Sequence, residues 1–410
     1  MRRRGCASRD WEVDRVNEAI FVVNAGSSSI KFKLYRVVGR DVALLLGGAL
    51  DGIGTRPRLQ AKDESGTVLV DRRFAPDEIA SAPQAQHAIS EWVLPHLNDV
   101  ELIGVGHRVV HGGPHYSHPE RVNAEVMRTL ESFIPLAPLH QLTNLDPIRV
   151  IAERRPDLPQ VACFDTAFHR GHPEIADRFA LPDELYEAGV RRYGFHGLSY
   201  EYVSGALREL APDLARGRVV ICHLGSGASA CGLIDGRSQE STMGFTALDG
   251  LPMGTRCGSL DPGVVLHLIE QKGMSAAEVG HMLYHDSGLK GLSGLSSDMR
   301  ELLASEVPAA ALAVDYFTLH VAQAVAQLAV TLGGVDALVF TAGIGEHAPE
   351  IRARICARLG LLGVALDAAA NAAGETWIDA EGPGPHVLVI PTDEERMIAL
   401  HTLRLMRPAG

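Results

Sequence analysis

Two stretches of the chain carry the same pattern of apolar and polar positions. In the first, Ile20-Phe21-Val22-Val23 is a continuous apolar run and Asn24 to Ser29 is a polar turn; Ile30, Phe32 and Leu34 then alternate with Lys31 and Lys33. In the second, Val219 to Cys222 is apolar and ends in His223. Gly225-Ser226-Gly227 turns the chain, and Ala230 to Ile234 is apolar again before Asp235-Gly236. An unbroken apolar run of this length suits a buried strand, and a period of two suits a strand buried on one face. Joined by short Gly/Ser turns, both stretches read as hairpins. The repetition predicts two related domains.

Between and beyond the hairpins the pattern alternates between strand and helix. Residues 40–85 read as strands and loops, 86–97 as a helix, and 102–111 as a strand closed by Gly112-Gly113. Helices follow over 122–133 and over 145–155, the latter after Asn144, with a proline-rich apolar loop at 135–140 between them. Residues 161–164 form a short strand that delivers Asp165. Ser199 reads as the N-cap of a helix whose apolar face is Val203, Ala206, Leu207 and Leu210. Residues 288–300 are Gly/Ser-rich and read as a loop. Val314, Phe317, Val321, Val325, Leu328 and Leu332 recur at helical spacing, which marks a core helix. A strand at 335–341, a tight turn at 342–346, a helix opened by Pro349, a strand at 387–390 and a closing helix complete the chain.

At 410 residues the chain exceeds what one core usually serves, so two domains are expected. Apolar content of 46% and 42 glycines place it among turn-rich α/β proteins. The net charge of −12 argues against a nucleic-acid partner. The six cysteines form no C-x-x-C pair, which suits a reducing cytoplasm and neither a disulfide frame nor structural zinc. No apolar run reads as membrane-spanning; the closest, 309–332, carries Asp315, His320, Gln323 and Gln327. Residues 1–18 are basic and then acidic, with no apolar segment of the signal-peptide kind, and are expected to be a disordered extension.

Several turns carry candidate chemistry. Glycines at the tip of the second hairpin let backbone N–H groups approach an anion. Gly225-x-Gly227-x-x-Ala230 fits a dinucleotide fingerprint, but the segment behind it has no helical period and ends in Asp-Gly. Arg256 sits in a second Gly-rich loop, Met253-Gly254-Thr255-Arg256, where a guanidinium suits phosphate. Arg108 follows His107 near a strand end, where its fork suits a carboxylate or phosphate. Asp165 occupies the carboxyl end of a strand, a position favoured for chemistry in α/β folds. His196 lies between Gly194 and Gly197 just before a helix, well placed to meet an anion. Each of these alone also fits an ordinary turn, cap or surface residue.

As a set, HRVVHGG around Arg108, FDTAFH at Asp165, YGFHG at His196, HLGSG from His223 to Gly227, MGTR at Arg256, GIGEH from Gly343 to His347 and PTDEE at Glu394 resemble the acetokinase family over residues 20–405. The resemblance implies an α/β fold of two domains with duplicated, ribonuclease H-like mixed-sheet cores, the actin-like ATPase fold, around a central cleft. It implies an N-terminal lobe of 19–164 plus 397–410 and a C-terminal lobe of 165–396. It also implies a cytoplasmic enzyme, usually a homodimer, that moves phosphoryl reversibly between ATP and acetate with Mg²⁺ or Mn²⁺; propionate or butyrate are the alternative acids. Arg108, Asp165, His196 and Arg256 take the catalytic positions. Arg108 with Val110, Leu139, Phe195 and Ala247 takes the substrate positions. The nucleotide would be held by Lys31, with Ser27 near its phosphates, by His223, Leu224, Gly225, Ser226 and Gly227, by Asp298, Met299 and Arg300, and by Gly343, Ile344, Gly345, Glu346 and His347. Asn24 and Glu394 match the metal-site residues.

The chain departs from the family pattern at four places: Ser226 and His347 stand where it has Asn, Ala247 where it has Pro, and Ser259 where it has Asp. Ala247 is smaller than Pro and leaves room for a longer acid. There is no nucleophile elbow and no G-x-x-x-x-G-K-[ST] loop, so direct in-line transfer is expected. A carboxylate substrate is already ionised at neutral pH. Asp165 is therefore expected to orient the site rather than to remove a proton.

Overall fold

The computed structural model describes residues 17–26, 29–97, 100–137 and 141–407. The chain packs as two compact units, one of residues 1–107, 146–161 and 399–410, the other of 108–145 and 162–398. Residues 108–145, grouped by sequence with the N-terminal lobe, thus pack with the second unit. The extension expected over 1–18 lies, up to residue 16, outside the described residues.

The first unit is built on β1 (Glu18–Ala25), β2 (Ser29–Val38), β3 (Asp41–Asp51), β4 (Arg58–Asp63), β5 (Val68–Arg73) and β6 (Glu101–Val109, which runs on into the second unit). Their order is β5-β4-β3-β2-β1-β6. β1 pairs antiparallel with β2, β2 with β3, and β1 parallel with β6. In the second unit, β7 (Glu120–Arg121) and the end of β8 (Gln160–Phe164) precede a five-stranded sheet of β9 (Arg218–Leu224), β10 (Ala228–Ile234), β11 (Arg237–Ser241), β12 (Ala337–Thr341) and β13 (His386–Val389), ordered β11-β10-β9-β12-β13. Here β9 pairs antiparallel with β10, β10 with β11, and β9 parallel with β12. Order and direction repeat those of β3-β2-β1-β6, so the duplication expected from the two hairpins is present.

Helix Pro308–Leu332 forms the spine of the second unit's core. Phe317, Val321, Val325 and Leu328 are at most 1% exposed, and they join Val220, Cys222 and Phe340 of the sheet in one apolar cluster. Burying each such large side chain contributes about 1.5–3 kcal/mol. Contrary to the sequence reading, this 25-residue helix is long and apolar enough to cross a bilayer by length and composition alone. Its apolar face is instead taken up by the core, as its helical spacing predicts.

Three buried histidines, His107, His111 and His169, and the half-buried His172 make the protein acid-sensitive. Burial lowers His107 to about 4, His111 and His169 to about 3 and His172 to about 2, with Arg170 adding to the effect at the last three. In the unfolded chain each titrates near its usual value of about 6.5. As pH falls below that value, the unfolded state takes up protons that the native state refuses. Stability is therefore full above about pH 6.5 and falls below it, by up to about 1.4 kcal/mol per pH unit for each histidine. The thermal midpoint is expected to fall between pH 6.5 and 5, before carboxylates protonate near 4. A flat midpoint across that range would contradict this.

Candidate active site

The tip of the β9–β10 hairpin is the centre of the site. Leu224 pairs with Ala228, which leaves Gly225-Ser226-Gly227 as the turn, closed by Gly225 N–H donating to Gly227 C=O at 3.0 Å. A side chain at Gly227 has no room. A Cβ there would lie 2.9 Å from Arg256 Nη2 and 3.3 Å from His196 Nε2. The guanidinium and the imidazole therefore converge on the glycine turn.

Backbone contacts fix this convergence. Gly254 N–H donates to Ser226 C=O at 3.0 Å, which joins the Arg256 loop to the hairpin tip. The same loop is gripped by the start of helix Gly288–Ser293, where Leu289 and Lys290 N–H donate to the Met253 and Gly254 carbonyls, both at 2.9 Å. Gly288 has φ +61°, and a Cβ there would sit 2.1 Å from Met253 O. Arg256 Nη1 donates to Ala247 O at 2.6 Å. Among the described residues Arg256 makes no ion pair. Burial and the nearby Arg108 lower its pKa, against an opposing pull from Tyr284. A half-buried cation beside another cation, with no ion pair of its own, calls for an anion.

His196 holds φ +56° as the N-cap of helix Gly197–Leu210. Left-handed backbone costs a non-glycine residue about 1–2 kcal/mol. The next residue explains why it persists: Gly197 N–H donates to Asp165 O at 2.9 Å, and a Cβ on Gly197 would lie 2.2 Å from that oxygen. Burial first, then His223, Arg108 and Arg256, lower the His196 pKa well below its usual value, so the ring is neutral at pH 7. It stacks on His223 with centroids 4.2 Å apart. Ser199 caps nothing, contrary to the sequence reading: it is fully buried, and its hydroxyl pairs with His223 Nδ1 at 2.8 Å.

Asp165 and Arg108 complete the group. Asp165 N–H donates to Val109 O, which sets the two segments side by side. Arg108 Nε donates to both carboxylate oxygens at 3.0 and 3.2 Å, and Nη2 to Oδ2 at 2.5 Å. The Asp165 side chain is 1% exposed and that of Arg108 20%. Burial works against the Arg108 charge, but Asp165, Glu394 and Glu395 outweigh it and raise its pKa. Val110 and Phe195 lie in the same buried apolar cluster, and Ala247 packs against it. Leu139 lies outside the described residues.

Of the segments expected to hold the nucleotide, the one at Ser297 and Asp298 adjoins the loop that meets the turn. A Cβ on Gly254 would lie 3.4 Å from Ser226 O and 3.3 Å from Ser297 O, beside Asp298. The segment 288–300, expected as a loop, is instead helix Gly288–Ser293 followed by the start of helix Met299–Leu303. Asp298 caps the latter and pairs with Arg300, whose side chain is 90% exposed; Met299 is buried. The turn expected at 342–346 is a one-turn helix, Ala342–His347, whose first residue has φ +64°. Glu346 Oε1 accepts from Ala342 N at 2.8 Å and Thr392 N at 3.2 Å, so this carboxylate braces the backbone. Gly343 has open space where a Cβ would be, and the His347 side chain is 79% exposed. Glu394 opens the last helix, Glu394–Met406, and acts electrostatically on Arg108. In the first unit, Asn24 and Lys31 are paired across β1 and β2. Ser27 lies outside the described residues. Ser259 is exposed, and its hydroxyl donates to Asp249 at 2.8 Å.

The sequence model of the acetokinase family matches residues 19–400. The chain is 54% identical over 390 residues to the acetate kinase of Nitrobacter hamburgensis, covering 95% of this chain and 96% of that protein. It is 55% identical over 389 residues to the acetate kinase of Rhizobium meliloti, covering 95% and 98%. Among solved structures, a propionate kinase from Francisella tularensis superposes with a TM-score of 0.87 at 36% identity, covering 94% of this chain and 99% of that one. The acetate kinase of Porphyromonas gingivalis gives 0.84 at 34%, covering 95% and 100%.

Proposed function

The chain belongs to the acetokinase family, and on that premise we propose that it is an acetate kinase, moving the γ-phosphoryl group of ATP reversibly onto acetate to give acetyl phosphate and ADP. The observation that carries this is the approach of Arg256 Nη2 and His196 Nε2 to the Gly227 turn, with Arg108 nearby. Phosphoryl transfer spreads charge over the equatorial oxygens and asks the protein mainly for position and fixed positive charge. Arg256 supplies the charge. His196, neutral, supplies an N–H. Arg108 faces the incoming carboxylate, and Asp165 holds its guanidinium. Val110, Phe195 and Ala247 belong to one apolar cluster, a surface that suits the methyl end of acetate.

Mg²⁺ belongs to this proposal. It is commonly held by one or two carboxylates and the substrate phosphates, a demand Glu394 fits; bound there, it would neutralise developing phosphate charge. The homodimer and the cytoplasmic location are carried with the same proposal, and a monomer in sedimentation would remove the first.

Acyl phosphate trapped with hydroxylamine tests the reading. With ATP and Mg²⁺, acetate is expected to give hydroxamate with a kcat/KM at least about tenfold above propionate, since one methylene is worth about 1–3 kcal/mol in a fitted pocket. No hydroxamate from any acid would remove the carboxylate kinase reading. Propionate equal to acetate would show that the Ala247 pocket has been widened in practice.

A further inference from the structure

We propose that Ser229, itself held by Tyr200, is a positioning residue that fixes the tautomer of His196, so that Nε2 carries the proton and presents it to the transferring phosphoryl group. The last clause rests on the phosphoryl-transfer reading; the tautomer itself does not.

The inference comes from counting protons in a chain of three groups, two of them fully buried. His196 Nδ1 lies 2.9 Å from Ser229 Oγ, and Ser229 Oγ lies 2.5 Å from Tyr200 Oη. Ser229 and Tyr200 are both fully buried. Among the described residues neither hydroxyl has a partner outside this chain, apart from the link between them. Each hydroxyl has one proton to place. If Tyr200 donates to Ser229 and Ser229 donates to His196 Nδ1, both protons are used and Nε2 must bear the ring N–H. If the chain runs the other way, from Nδ1–H to Ser229 to Tyr200, the phenol proton is left buried without an acceptor. An unsatisfied buried donor costs about 1–3 kcal/mol, which favours the first arrangement by roughly ten- to a hundredfold.

The geometry at the other end of the ring gives the tautomer its consequence. Nε2 is the atom that faces the glycine turn, 3.3 Å from where a Gly227 Cβ would be. A bare Nε2 would aim a lone pair at phosphate oxygens, whereas Nε2–H donates to them. Burial keeps the phenol protonated, raising its pKa well above the usual value, and keeps the imidazole neutral. The site thus obtains a directed donor from a histidine that carries no charge.

Two readouts test this. In protein labelled at the histidine nitrogens, the His196 signals are identified by their loss in His196→Asn. The resting enzyme is expected to show Nε2 protonated and Nδ1 bare. Ser229→Ala is expected to populate the other tautomer, whereas in Tyr200→Phe the Ser229 hydroxyl still has Nδ1 as its acceptor and the resting tautomer is expected to persist. Ser229→Ala should lower kcat by about ten- to a hundredfold, the range known for partners that fix an imidazole at metal sites, with KM for acetate essentially unchanged, and Tyr200→Phe should change both by less than Ser229→Ala does. A proton on Nδ1 in the unaltered protein would overturn the proposal, as would a Ser229→Ala variant that keeps both the tautomer and kcat. The nitrogen signals come from the protein without substrates, so a failure to form acyl phosphate would count against the functional reading alone.

Discussion

Arg256→Ala is expected to lower kcat by about 10³-fold or more, the lower end of what an arginine aimed at a transferring phosphoryl group supplies. The physical ground is that Arg256 is a cation without an anion. It is half-buried, makes no ion pair among the described residues, and is held by a neutral carbonyl, Ala247 O at 2.6 Å. Its Nη2 points at the Gly227 turn. Such a charge, dehydrated in advance, stabilises developing negative charge without reorganising. Fold stability should change little, because Arg256 closes no ion pair whose loss would strand a carboxylate. Lysine in its place should recover little, since an ammonium cannot both bond Ala247 O and present a second N–H in the same plane. A loss in kcat of less than about tenfold would take Arg256 out of the transition state, since one oriented donor alone is commonly worth more.

Asp165→Ala should act first on stability, costing up to about 3–5 kcal/mol by removing the carboxylate that grips Arg108, with Glu394 and Glu395 left to offset part of its charge. The carboxylate is 1% exposed and grips the guanidinium through two nitrogens, so solvent cannot replace it. In a unit of this size that corresponds to a fall in melting temperature of about 6–20 °C. The same substitution frees Arg108 to move away from the like charge of Arg256, so KM for the carboxylate should rise as well. Adding Arg108→Ala to Asp165→Ala should recover part of the lost stability, because the second change removes the charge that has lost its hydrogen-bonded carboxylate. If Asp165→Ala costs less than about 1 kcal/mol, the pair behaves as a solvated surface bridge and is not the clamp described above.

The sheets were legible in the sequence because strand signals are local. Ile30, Phe32 and Leu34 alternate with lysines, Val219 to Cys222 are unbroken, and glycine marks each turn. Helix Pro308–Leu332 was legible for the same reason. What failed were short helices and caps. Helices Gly288–Ser293 and Met299–Leu303 are too short to show an apolar period, and glycines and serines disguise the first as a loop. Ala342–His347 looked like a turn because one helical turn with two glycines has the same composition. Asn144 was read as a helix start, but the helix begins at Gln141 and Asn144 bonds Val110 N–H at 2.9 Å. Ser199 has the chemistry of a cap, but Gly197 lies against Asp165 O and starts the helix earlier.

The site was legible residue by residue but not as an arrangement. Arg108, Asp165, His196 and Arg256 each stood out beside a glycine or at a strand end. That Gly227 is the point at which His196 and Arg256 meet depends on the fold bringing residues 196, 227 and 256 together, which no local pattern encodes. Ser229 and Tyr200 were missed. The one available signal was a serine within the apolar stretch Ala228-Ser229-Ala230-Cys231, a polar side chain in a strand where every neighbour is buried.

The most direct test of the claim that one phosphoryl group passes straight from nucleotide to acid past Arg256 and His196 is the stereochemical course of the reaction. With a γ-phosphoryl group made chiral by oxygen isotopes, a single in-line displacement inverts the phosphorus, and inversion is the predicted result. Retention would contradict it, because it requires a second displacement through a phosphorylated side chain.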